Sequence, residues 1–125
     1  MRIGTLVIAV LLAATSALAH HSNSAFDGDK VMVLTGTVME WKWTNPHVWI
    51  ILSVDNGKGG KAQWSIEGRT PGQLVRAGWS KTTLKPGETI TVDFSPAKDG
   101  SPTGLLTRVR RADGTVVGDP APPAT

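Results

Sequence analysis

Three histidines and five tryptophans, with no cysteine and no tyrosine, are the chain's stock of metal-binding rings and flat aromatic surfaces. His20 and His21 are adjacent. The third, His47, lies in WKWTNPHVWI, residues 41–50, together with Trp41, Trp43 and Trp49. Imidazole nitrogen suits copper and zinc, and copper heads the affinity order of the divalent first-row metals. Indole faces stack on sugars, aromatic rings and cations. The two chemistries to test are therefore nitrogen coordination and ring stacking, since thiolate sites and a cysteine nucleophile are absent.

What His20 can do depends on where the mature chain starts. Residues 1–19, MRIGTLVIAVLLAATSALA, carry one basic residue, Arg2, then an apolar run from Ile3 to Ala14, then Ala17-Leu18-Ala19. This is the pattern of a cleaved secretory signal peptide with an A-x-A site. The run is short for a bilayer core about 30 Å thick, and no second apolar segment follows, so no membrane insertion is expected after cleavage. The expected location is periplasmic or secreted. Cleavage after Ala19 would free the α-amine of His20, whose reference pKa is about 7.7 to 8.0, beside an imidazole of about 6.5. Amine and ring can then chelate one ion, and a third nitrogen from His47 would complete a T-shaped histidine brace for Cu(II). His21 is the lesser partner, because neighbours in an extended arm point to opposite sides. The plainer alternative is a solvated His-His arm and a His47 that caps backbone groups in a turn. No His stands at the third mature position, and no HExxH spacing exists.

Charge and motif narrow the function classes further. Thirteen Lys+Arg less Arg2 leave twelve against ten Asp+Glu, a nearly balanced mature chain. With expected export, that balance points away from a nucleic-acid partner, which usually needs a clustered basic face. Glu40 and Glu67 read as solvated strand carboxylates, and Ser65 has no histidine placed by sequence to activate it. No nucleophile elbow or phosphate-binding glycine loop appears, so a binding role is expected rather than catalysis. Arg108, Arg110 and Arg111 suit either an acidic partner or a solvated edge that discourages aggregation.

The elements that would hold these residues are mainly β. Period-two alternation with turn signals between segments marks strands at about Val31 to Trp43, His47 to Val54, Ala62 to Glu67, Thr89 to Ser95 and Leu105 to Arg111. Gly36 marks a bulge or bend in the first strand. DNGKGGK, 55–61, is a hairpin turn. Thr70, Pro71 and Gly78 punctuate one short helix, and Asp113-Gly114 folds residues 115–117 back. Strand, strand, strand, short helix, strand, strand is the order of an OB-fold, a small five-stranded Greek-key barrel. Its expected bounds are 30–117, after an N-terminal arm at 20–29 and before a Pro-rich disordered tail at 118–125.

With Thr44-Asn45-Pro46 as a three-residue loop, Trp43 would oppose His47 and Trp41 would oppose Trp49. Opposed side chains share a face, so these four would form one outer patch, backed by Val38, Ile50, Leu52 and Val54 in the interior. Either the arm, anchored by Phe26, covers that patch, or the patch is a metal-free platform for a saccharide, a peptide or a partner protein.

The ordered set HHS at the expected mature start, WTNPH at 43–47, WSIE at 64–67, Gly78-Trp79, LKPGE at 84–88 and PAKDGS at 96–101 resembles a family of small exported bacterial proteins of unknown function. The resemblance spans essentially the whole mature chain. It implies export and a shared β-domain, and it carries over no catalytic residue.

Overall fold

Alternation sends every second side chain inward, and five segments do so: β1 (Met32–Lys42), β2 (Trp49–Asp55), β3 (Lys61–Glu67), β4 (Thr89–Pro96) and β5 (Thr103–Arg111). One helix, α1 (Pro71–Arg76), joins β3 to β4. In this computed structural model residues 24–118 are described; His20, His21, the expected signal segment and residues 119–125 of the expected tail lie outside the described residues.

The strands close in the order β1-β2-β3-β5-β4, with β4 returning to β1. All contacts are antiparallel except the short β3–β5 seam, Ser65↔Thr103 to Glu67↔Leu105. This is the expected OB-like Greek-key barrel, helix included. Val38, Ile50, Leu52, Ile66, Ile90, Val92, Phe94 and Val109 fill it, each at most 1 % exposed. Each such side chain contributes about 1.5 to 3 kcal/mol by leaving water.

β1 is long because it serves two neighbours. Met32 to Thr37 pair with β4, and Thr37 to Lys42 pair with β2. Gly36 sits at this changeover. A Cβ there would lie 2.7 Å from the Ser53 carbonyl oxygen, so the glycine permits close approach of two backbones. The bulge itself falls further on, between Val38 and Glu40, where Met39 is the extra residue.

α1 starts with a capping box. The Thr70 hydroxyl accepts from the Gln73 N–H, and the Gln73 side chain accepts from the Thr70 N–H. Leu74 is its buried contact, and beyond the turn at Gly78 the chain buries Trp79 and Leu84. At the other terminus the fold-back after Asp113 is present: Val117 donates to the Val109 carbonyl and is buried. The Asp113 carboxylate accepts from the Thr115 hydroxyl and N–H, which holds its pKa below the usual carboxylate value. Arg110 and Arg111 bind Asp93 and Glu88, so two of the three clustered arginines pin β5 to its surroundings.

Gly104 on β5 faces the Phe94 ring, and a Cβ there would come within 2.0 Å of it. Gly104→Ala should lower stability by about 1 to 3 kcal/mol through overpacking, read as a fall in the urea midpoint with unchanged slope. An unshifted midpoint would show that the Phe94 ring moves freely.

Candidate functional site

The β1–β2 connection, residues 43–48, decides where WKWTNPHVWI puts its rings. It has six residues rather than three, so the register runs Lys42↔Trp49, Trp41↔Ile50 and, past the bulge, Val38↔Leu52. Lys42↔Trp49 and Trp41↔Ile50 stand one step from the expected pairing, which the bulge at Met39 restores at Val38↔Leu52, and a one-residue slip moves the side chains of that stretch to the other face.

The aromatic patch therefore divides. Trp41 shares the inward face with Ile50 and, with Trp43, packs against the core. Its ring centroid lies 5.6 Å from Trp43 and 5.7 Å from Trp79, and its Nε1 donates to the Ser80 carbonyl at 3.1 Å. These two rings close the barrel end beside α1. Trp49 faces outward, half-buried, between Lys42 on β1 and Glu67 on β3.

His47 lies beside Trp49 and reaches the same glutamate. Its Nδ1 is 2.7 Å from Glu67 Oε1. Glu67 is only 7 % exposed, whereas the His47 side chain is about one-third exposed. A buried carboxylate needs a polar partner, and His47 Nδ1 is the one this loop brings within ion-pair distance of it. Among the described residues Nε2 has no hydrogen-bond partner. The backbone holds the loop in place: Val48 N–H donates to the Arg69 carbonyl at 3.0 Å, and Gly68 N–H donates to the Val48 carbonyl at 2.8 Å. A Cβ on Gly68 would come within 2.5 Å of a Val48 methyl, so glycine is what lets β3 run out beneath the loop.

Sequence reasoning treated Glu67 as solvated, and the burial corrects that. The signal was present in the second hairpin. Counting back from the Asp55↔Lys61 pair through β2 and β3 sets Glu67 opposite Trp49. The arm also differs from expectation. Phe26 is buried, but it bridges to Ala97, with Asp27 N–H donating to the Pro96 carbonyl and Lys98 N–H to the Ala25 carbonyl. The described part of the arm covers the β4–β5 connection rather than Trp41 and Trp43. Among the described residues no three His, Asp or Glu side chains gather as a metal site.

The chain matches a family of unknown function, DUF6152, over residues 8–108. It belongs to that family. No curated protein matches it. Among solved structures it is similar to two crystal forms of the mitochondrial single-stranded DNA-binding protein Rim1 of S. cerevisiae. Form 2 matches with TM-score 0.51 and 10% identity over 66% of this chain and 93% of that one. Form 1 matches with TM-score 0.51 and 9% identity over 66% and 92%. At that identity the likeness is one of fold. It still overturns the expected exclusion of a nucleic-acid partner, because this barrel architecture is one that single-stranded DNA-binding proteins use, and a balanced net charge does not rule such a partner out.

His47→Ala strands the buried Glu67 carboxylate, so it should cost about 2 kcal/mol in chemical denaturation at neutral pH. His47→Ala combined with Glu67→Leu should recover much of that loss. Equal stability of wild type and His47→Ala would show that Glu67 does not depend on the ring.

Proposed function

We propose that the chain is an exported binding protein whose ligand is a copper ion, held by His47 Nε2 together with the α-amine and ring of His20 once cleavage after Ala19 has exposed them. His21 is the reserve ring. The observation that carries this reading is the Glu67 contact to His47 Nδ1. Metal-binding histidines commonly donate their second ring nitrogen to a carboxylate, which fixes the tautomer, orients the ring and raises ligand basicity. An imidazole about one-third exposed, its Nδ1 2.7 Å from a nine-tenths-buried carboxylate, has the placement such a pair requires. The described residues supply one ligand of the three, and the mature N-terminus supplies the others.

The second reading is a metal-free recognition face centred on Trp49, the outward ring of the cluster. A saccharide, a peptide, a partner protein or a single-stranded nucleic acid could stack there, the last because OB-folds such as that of Rim1 serve single-stranded DNA-binding proteins.

One titration separates the two. Mature protein beginning at His20, confirmed by intact mass, should bind Cu(II) near one equivalent. Affinity should fall at least about tenfold in His47→Ala and when one residue precedes His20, and about ten- to a hundredfold in Glu67→Ala. Binding untouched by these changes refutes the brace. Indifference to copper, with tryptophan fluorescence that responds to an oligosaccharide or a single-stranded oligonucleotide, favours the recognition face.

A further inference from the structure

Arg108 is the member of the basic cluster on β5 that the barrel does not use. Arg110 and Arg111 bind Asp93 and Glu88, whereas Arg108 is exposed and has no hydrogen-bond or ion-pair partner among the described residues. Beside it the strand is irregular. Asp93 pairs with Arg108 and Phe94 with Leu106, so Thr107 is an extra residue, and bulges of this kind re-aim the side chains around them. Leu106 packs against the core while Arg108 is exposed, and both line one cavity.

That cavity lies where α1, β5 and the C-terminal fold-back meet. Leu74, Trp79 and Val117, all buried, give it apolar walls together with Leu106. Its volume is about 30 Å³, room for roughly two or three water-sized groups. An isopropyl group fits such a space, and an aromatic ring or a long acyl chain does not. The lining also holds Arg69 and Arg108 and no acidic residue. A guanidinium is always charged and takes a carboxylate through two parallel N–H donors. Apolar walls beside an unengaged guanidinium therefore complement a small group that is aliphatic at one end and anionic at the other.

We infer that this cavity binds a short branched aliphatic carboxylate of the isovalerate type, its isopropyl end among Leu74, Trp79, Leu106 and Val117 and its carboxylate on Arg108. A free short-chain acid presents that group, and so does the C-terminal valine of a peptide. The site uses neither His47 nor a metal, so it stands or falls apart from the brace.

The test uses the processed full chain in metal-free buffer and follows the indole N–H signal of Trp79 by heteronuclear NMR. Isovalerate should shift that signal with a Kd in the millimolar range, as suits so small a ligand. Isovaleramide, its neutral counterpart, should bind at least about tenfold more weakly, because the charge-assisted contact is gone. Arg108→Gln should cost isovalerate about the same factor, and Arg108→Lys should keep most of the affinity. Ala77→Val narrows the cavity from its own lining and should weaken both ligands together. Where Ala77→Val lowers the folded fraction by circular dichroism, Arg108→Gln, at an exposed position, decides the matter. N-acetyl-Ala-Val with a free C-terminus separates the two sources: tighter binding than isovalerate assigns the site to a chain end, and no binding assigns it to the free acid. A Trp79 signal that isovalerate leaves in place, equal affinity for the acid and its amide, or binding untouched by Arg108→Gln overturns the inference.

Discussion

A carboxylate taken out of water needs a polar partner, and in this barrel Glu67 lies 2.7 Å from His47 Nδ1. Around that one contact the local design is legible. Leaving this buried carboxylate unpaired costs about 2 kcal/mol, a sizeable share of the roughly 5 to 15 kcal/mol that holds a domain of this size together. The contact also has a direction. The carboxylate is inside and the ring is partly outside, so the contact joins the barrel's interior to its surface.

The geometry comes from pieces that are mostly not polar. The hairpin of β2 and β3 sets Glu67 opposite Trp49. Val48 is fully buried and tied by backbone hydrogen bonds to Gly68 and Arg69, which leaves its neighbour His47 directly over the end of β3. The glycine at 68 is as necessary as the charge, since any side chain there would displace Val48. Trp41 packs against both Trp43 and Trp79 at the same end, and tilted aromatic pairs of this kind add about 0.5 to 1.5 kcal/mol each beyond area burial. These rings stabilise the platform from which the loop projects.

Strand order, helix position and core were readable from alternation, because period two, turn chemistry and helix punctuation all agreed. Leu52, Ile66, Ile90, Val92 and Phe94 point inward as that alternation demands. The division of the tryptophans was not readable, because it hangs on a single residue of register at the 43–48 connection, and neither Thr44 nor Asn45-Pro46 states the loop length. Gly36 looked like the bulge because glycine serves both bulges and close approaches, and here it serves the second. Phe26 was recognisable as an anchor, but nothing in its neighbours named Ala97 as the surface it meets. Low net charge seemed to argue against nucleic acid, yet charge balance speaks for the whole molecule, whereas OB-folds bind on one face.

In the proposed brace, Glu67 presents His47 Nε2 as a ligand atom to a copper ion shared with the mature N-terminus. Pulsed EPR of the Cu(II)-loaded mature protein tests it most directly, because a copper-bound imidazole reports its remote ring nitrogen. Two coupled imidazoles in the wild type, falling to one in His47→Ala, is the expected result. A spectrum that His47→Ala leaves unchanged would contradict it.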